Sequence, residues 1–393
     1  MRKPPPGLAG AALAAALAAA VPVPAHAEAA VLHAGSPTAV PGSYIVKLVG
    51  TAPAGASDTA SHTASADALT ARFADRITRT PTGPFRGFTA TLTEREARRL
   101  AADPRVEYVE QDQVVRAAPL QTQPNAPWGL DRIDQRSLPL DTGYSFTTSG
   151  RGVTAYVVDT GVRTTHVEFG GRASHCYDSV DGDHVAQDDN GHGTHVAGVI
   201  AGATHGAAKG ARICAVRVLD GSGSGTTAGV IAGIDWVIAN HVKPAVANIS
   251  LGGGASAALD DAVRRLIAAG VTTAVGAGSS NTGVGGTSPA RVAEAITAGA
   301  GARADARAPF SNHGAGVDAY APGVSITSAW HTGDTATNTL SGTSMATGFV
   351  TGVVARHLEP NPAATPAQVH AEVVREATPL PWGGRLLHWS PTR

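Results

Sequence analysis

The sequence predicts an α/β protein: a doubly wound, mostly parallel sheet preceded by a small α+β unit. Three observations carry this. VTAYVVD (153–159), ICAVRVL (213–219), VANISL (246–251) and VTTAV (271–275) are near-continuous apolar runs, the pattern of strands buried on both faces. Between them, THVAGVIAG (194–202), TTAGVIAGIDWVIANH (226–241) and SAALDDAVRRLIAAG (256–270) repeat apolar residues at helical spacing. Upstream, within residues 40–116, three short runs alternate apolar and polar residues as in half-buried strands. Strand–helix alternation places functional loops at the carboxyl ends of the strands.

Composition narrows the functional classes. A chain of 393 residues suits two or three segments, and 43% apolar against 16% charged residues supplies a sizeable core. The 30 basic and 31 acidic residues nearly cancel, so charge argues for neither nucleic acid nor an anionic membrane as partner. Glycine is abundant and aromatic residues are scarce, as in a tightly turned α/β domain. Two cysteines, Cys176 and Cys214, permit one disulfide without demanding it.

In chain order, Arg2 and Lys3 precede an Ala/Leu run to about Val23, and Ala25-His26-Ala27 has the small-x-small pattern of a cleavage site. Residues 1–27 are therefore expected to be a signal peptide; no other stretch is long and apolar enough to span a bilayer. In the 40–117 unit, YIVKL (44–48) and FTATL (88–92) read as strands. Thr93 with Glu96 forms a capping-box signature, Leu92 can act as the staple, and Asp103-Pro104 stops the helix. VEYVEQDQVV (106–115) reads as another strand, and the Ala/Ser/Thr/Gly-rich 50–66 segment as a mobile loop. The aperiodic, Pro-containing 117–127 segment reads as a linker and cleavage zone leading into the main domain, 118–393. There, Ser256 caps the 256–270 helix and Gly270 ends it.

Three residues carry potential chemistry. Asp159 ends a buried strand before Thr160-Gly161. His192 opens a helix between two glycines, and Ser344 lies in a small-residue turn entering the helix that follows. Singly, each has an ordinary reading, as a turn-capping carboxylate, a helix-start histidine and an N-cap serine. His192 with His195 could also suggest zinc, but the glutamate of a His-Glu-x-x-His site is missing. Together they supply nucleophile, base and orienter in the order Asp, His, Ser.

VVDTGV, NGHGTHVAG and SGTSMAT resemble the three signature segments of the subtilisin-like serine proteases. LDRIDQRSLPLD, VRVLDGSGSGTTAGVIAGIDWV and NISLGGG resemble the branch containing proteinase K and aqualysin. The resemblance covers nearly everything from about residue 124, while the 40–117 unit resembles the family's inhibitory propeptide, a ferredoxin-like α+β domain. It implies a secreted, monomeric endopeptidase that needs no cofactor for catalysis and acts on polypeptides. Its own propeptide would serve as an intramolecular inhibitor. Ser344 would be the nucleophile, His192 the base and Asp159 the orienter. Ser250, Leu251, Gly252, Ala277 and Gly278 would line the substrate cleft.

Several positions depart from the family pattern. The oxyanion asparagine is replaced by Ser279, whose hydroxyl is expected to fall short, with Asn281 two residues on. Loss of that donor suggests an alternative, a catalytically weakened homologue acting mainly in peptide binding. Gly348 replaces a proline and is expected to loosen the helix start. Asp189, Gly221, Gly285 and Gly316 occupy the branch's usual cysteine positions. Cys176 and Cys214 would lie on neighbouring strands, where parallel geometry often forbids a bridge, so the sequence leaves open whether they are bonded. The resemblance also implies structural calcium. One set is Asp318 with the carbonyls of Ala293 and Ala295; the other is Asp131, Asp134, Gln135 and Asp141. The acidic loop 181–191 is not an EF-hand, because its sixth position is Ala186 and its twelfth is His192.

Overall fold

A computed structural model describes residues 28–49, 68–80, 85–114 and 119–392. The expected signal peptide 1–27, the 50–66 loop and the first residues of the 117–127 linker lie outside the described residues. The chain divides into two compact units, 1–117 and 118–393.

The first unit is a four-stranded antiparallel sheet. Strands β1 (Ala39–Leu48), β2 (Ile77–Arg79), β3 (Gly87–Thr91) and β4 (Val106–Gln113) lie in the order β2-β3-β1-β4. Residues 68–72 are helical, and α1 (Glu94–Ala101) joins β3 to β4, giving the β-α-β-β-α-β sequence of a ferredoxin-like fold. The capping box forms, with the Thr93 hydroxyl accepting from Glu96 N and Glu96 Oε2 accepting from Thr93 N at 2.9 Å. Leu92 joins Ala97 in a core with Val46, Phe88, Leu100 and Val109.

The second unit carries a nine-stranded sheet. Its strands are β7 (Thr154–Asp159), β8 (Ala173–Asp178), β9 (Arg212–Arg217), β10 (Ala245–Ile249) and β12 (Thr272–Gly276). β14 (Ile296–Gly301), β15 (Ala319–Pro322), β18 (Thr378–Pro379) and β19 (Arg385–Leu386) complete it, in the order β18-β19-β15-β14-β12-β10-β7-β9-β8. All pairs are parallel except β18 with β19. Shorter strands β5 (Gln121–Pro124), β6 (Gly143–Phe146), β11 (Gly253–Gly254), β13 (Thr287–Ser288), β16 (Ile326–Ala329) and β17 (Thr337–Leu340) pair in three two-stranded ribbons.

The helices of this unit that the site uses are α2 (Trp128–Ile133), α3 (His192–Ala201), α4 (Thr227–Asn240), α5 (Ala257–Ala268), α6 (Thr343–Leu358) and α7 (Pro366–Glu376). β7 shows why its residues are apolar throughout. Ala155 and Val157 enter the core that holds Val196, Phe349 and Val350 of α3 and α6, while Tyr156 and Val158 enter the core of α4 and α5. The α3–α6 contact is close. A Cβ on Gly348 would lie 3.0 Å from Val199 Cγ1, and α6 runs unbroken through this position. The absence of a side chain at Gly348 therefore lets the two helices approach closely.

Cys176 and Cys214 are bridged, with Cα atoms 5.6 Å apart, which answers the question the sequence left open. Regular register opposes Ser174 to Cys214, but the ladder slips between His175 and Tyr177 and leaves Cys176 as an extra residue. A bulge re-aims a side chain, here onto its cross-strand neighbour.

Candidate active site

β8 and β9 lie to one side of β7, and β10, β12, β14 and β15 to the other. The strand order thus reverses between β7 and β10, which opens a crevice at their carboxyl ends. Asp159, the last residue of β7, is fully buried there. Its Oδ1 accepts from Thr160 N at 2.8 Å and from His192 Nδ1 at 2.7 Å. Holding the proton on Nδ1 leaves Nε2 free to accept one.

His192 is the first residue of α3 and is 27% exposed. Its flanking glycines are sterically required. A Cβ on Gly193 would meet Gly161 O at 2.1 Å, and one on Gly191 (φ +113°) would meet Trp330 and His331 at 2.5 Å. Burial pulls the imidazole pKa down, but the Asp159 carboxylate, by charge and hydrogen bond, and the Asp188 carboxylate leave it above its ordinary value. His195, one turn on, faces the opposite way chemically. Burial pushes it down to about 4, and its Nε2 meets Ile326 O at 3.0 Å, so it is a core histidine.

Ser344 is the second residue of α6, where first-turn N–H groups lack intrahelical acceptors. Its Oγ donates to Ser250 O at 3.1 Å, and Ser250 Oγ donates back to Ser344 O at 3.1 Å. Asn248 Nδ2 supports Ser250 Oγ at 2.8 Å, and Thr351 of α6 supports Asn248 in turn. The structure thus joins Asp159 to His192 directly and rests Ser344 on the Ser250 carbonyl. Ser250 borders both the cavity of about 640 Å³ that contains His192 and the cavity of about 480 Å³ that contains Ser344.

Leu251 and Gly252 line both cavities, and Gly278 lines the second. Ala277 does not line either: its side chain is buried, its N–H donates to Ala298 O, and its carbonyl accepts from Asn312 Nδ2 at 2.8 Å. Both of its backbone groups are thus engaged within the fold, behind the Gly278 wall of the second cavity. The opposite wall, Ser222–Thr227, was not anticipated. Ser279 borders the Ser344 cavity, where its Oγ accepts from Thr343 N at 3.3 Å. Asn281 is committed elsewhere, its Oδ1 accepting from Arg307 Nη1 at 3.0 Å. Asn312, also unanticipated, holds the 277–282 loop through its carboxamide.

The two proposed calcium sets differ. Asp318 Oδ2 accepts from Thr297 N, and its Oδ1 faces His370 Nε2 at 3.1 Å. At the other, burial and then the charges of Asp141 and Asp131 push Asp134 up to about 6, and burial raises Asp131. Clustered carboxylates of this kind suit a hard cation. Among the described residues no three His, Cys, Asp or Glu side chains converge as a cage, so Gln135 and carbonyls would have to complete it.

A doubly wound sheet with an acid–histidine pair and a helix-start serine on one switch-point crevice defines a serine peptidase of the subtilisin-like class. Comparison with known proteins agrees. The chain belongs to the subtilase family, which matches residues 150–388, and the peptidase inhibitor I9 family matches residues 43–118. It is 56% identical over 304 residues to an extracellular serine proteinase of Thermus sp. (strain Rt41A), covering 77% of this chain and 74% of the relative. It is 53% identical over 296 residues to alkaline serine exoprotease A of Vibrio alginolyticus, covering 74% of this chain and 55% of the relative. The solved structure of a cold adapted subtilisin-like serine proteinase matches at 51% identity with a TM-score of 0.66, covering 67% of this chain and 98% of that one. Relatives this similar are named proteinases, which does not favour the peptide-binding alternative.

Proposed function

We propose that the protein is a secreted, monomeric endopeptidase in which Ser344, His192 and Asp159 form the catalytic triad. The 40–117 unit would inhibit it until removed. The observation that carries this reading is the 2.7 Å contact between His192 Nδ1 and the fully buried Asp159. It supports a fixed tautomer with Nε2 as proton acceptor. Ser344 Oγ leaves the Ser250 carbonyl, gives its proton to His192 Nε2 and bonds to the scissile carbonyl carbon. The Ser344 N–H faces the oxygen that becomes negative. His192 returns the proton to the leaving amine, and the acyl-enzyme is then hydrolysed by water activated by the same imidazole. An extended peptide suits the crevice because glycine-rich backbone at 252–254 and Ser222–Gly225 flanks it on two sides.

Secretion is supported by the extracellular relative and by the N-terminal pattern of residues 1–27. Among the described residues no helix is long and apolar enough to cross a membrane. Calcium at Asp131, Asp134, Gln135 and Asp141 would be structural and take no part in the reaction. Ser344→Ala tests the assignment: in a protease-free host the chain should accumulate folded and full-length. Processing at the wild-type rate would overturn it.

A further inference from the structure

We propose that Asp188 is the positioning residue that couples the two halves of the acid–histidine pair. It does so by tying the Asp159 turn and the first turn of α3 to one buried carboxylate. Asp188 is 2% exposed and lies four residues before His192. Its Oδ1 accepts from Thr160 Oγ1 at 2.9 Å, Asn190 N at 3.0 Å and Gly191 N at 2.8 Å. Its Oδ2 accepts from Thr194 N at 2.9 Å and Thr194 Oγ1 at 2.5 Å. Thr160 Oγ1 meanwhile accepts from Gly193 N at 2.9 Å. Five donors, one from Thr160 and four from the 190–194 stretch, therefore converge on one carboxylate, which takes over the capping that Gly191, the side-chain-free N-cap of α3, cannot perform.

The arrangement does two things. It fixes the backbone on both sides of His192 and, through Thr160, the residue after Asp159. A shift of Asp159 relative to His192 would have to break this network, and small misplacements are costly in catalysis. It also sets a second negative charge near the imidazole, opposite in sign to the imidazolium that forms in the reaction. The titratable groups that act on His192 are Asp159 at the end of β7, Asp188 in the preceding loop and His195 in α3, while His331 after β16 packs against the neighbouring Gly191. Asp159 and Asp188 both favour the protonated ring, while His195 opposes it only when protonated.

The proposal rests on the reading of His192 as the base, and the experiment separates the two. The rate of Ser344 modification by a phosphonylating reagent is measured against pH for the full chain after processing, in wild type, Asp188→Asn and Asp188→Glu. Asp188→Asn removes the charge, so its acid limb should move toward lower pH by roughly half a unit or more. Its limiting rate should also fall about tenfold or more, since an amide cannot accept from all five donors. Asp188→Glu keeps the charge and displaces the oxygens, so its limb should stay and its rate should fall. A wild-type profile without an acid limb would reject His192 as base. A wild-type limb that Asp188→Asn leaves unmoved, at an unchanged limiting rate, would reject the role of Asp188. Should Asp188→Asn fail to fold, Thr160→Val removes the hydroxyl that links Asp188 Oδ1 to Gly193 N and leaves the other four donors to Asp188 in place. Its limiting rate should fall severalfold, and an unchanged rate would reject the coupling.

Discussion

The replaced cysteine pair at Asp189 and Gly221 can be restored by design. A Cβ built on Gly221 would lie 3.5 Å from Asp189 Cβ, inside the range a disulfide spans, and Gly221 is not in the left-handed region. Asn190 Nδ2 already bonds Gly221 O at 3.1 Å, so the two segments are held together. Asp189→Cys with Gly221→Cys would close a loop of about thirty residues, about 3.5–4 kcal/mol in the chain-entropy model. The loss is the Asp189–Arg217 pair at 3.3 Å; Asp189 is 61% exposed and Arg217 keeps Asp178 and Asp181, so this costs about 0–1 kcal/mol. The net gain of about 3 kcal/mol corresponds to a Tm rise of roughly 6–12 °C for a domain of this size. Calorimetry in the full-length Ser344→Ala background avoids self-digestion, and the matching double serine variant supplies the unclosed reference. Free thiols at both positions would refute the proximity. A bridge verified by non-reducing peptide mapping with unchanged Tm would refute the entropic reasoning.

Ser279→Asn should raise kcat about tenfold with little change in KM, because the new donor meets charge that develops only in the transition state; no gain would remove position 279 from the oxyanion role. Ser279→Ala should cost about 0.5–1.5 kcal/mol of stability through the lost bond to Thr343 N, read by thermal unfolding. Thiol counting under denaturing, non-reducing conditions should find no free thiol, and two would contradict the Cys176–Cys214 bridge. In chelator, the raised Asp134 means that the folded state binds its proton more tightly than the unfolded state. Stability should therefore fall as pH rises from about 4 to about 6 and level off above. Added calcium should raise Tm above pH 6 in wild type and fail to do so in Asp134→Asn; an equal response would place the ion elsewhere.

The legible parts of the sequence were those with local contrast. β7, β9 and β10 carry Val and Ile on both buried faces, and such uninterrupted apolar runs are not mistaken for a surface strand. β14 (ITAGAG) and β15 (AYAP) are equally buried but built from Ala and Gly, so composition conceals them. α7 carries a clear signal of its own, Thr365 with Gln368 in a capping box and Pro366 at its start. Asp159, His192 and Ser344 stood out because each sits in a short motif whose turn geometry demands small neighbours. Asp188 did not, because its local bonds to Asn190 N and Gly191 N read as an ordinary turn, while the bond from Thr160, 28 residues away, leaves no trace in the local sequence. The Cys176–Cys214 bridge depends on a bulge, a one-residue slip that leaves no periodic trace. His370 against Asp318 was equally hidden, since it joins α7 to the start of β15.

The central claim is that Ser344 is the nucleophile activated by His192. A phosphonylating reagent followed by peptide mapping tests it most directly. The account predicts one stoichiometric adduct on Ser344 in the active protein, none in denatured protein, and a rate in His192→Ala lower by about three orders of magnitude or more. An adduct on another serine, or full peptidase activity after Ser344 is modified, would contradict it.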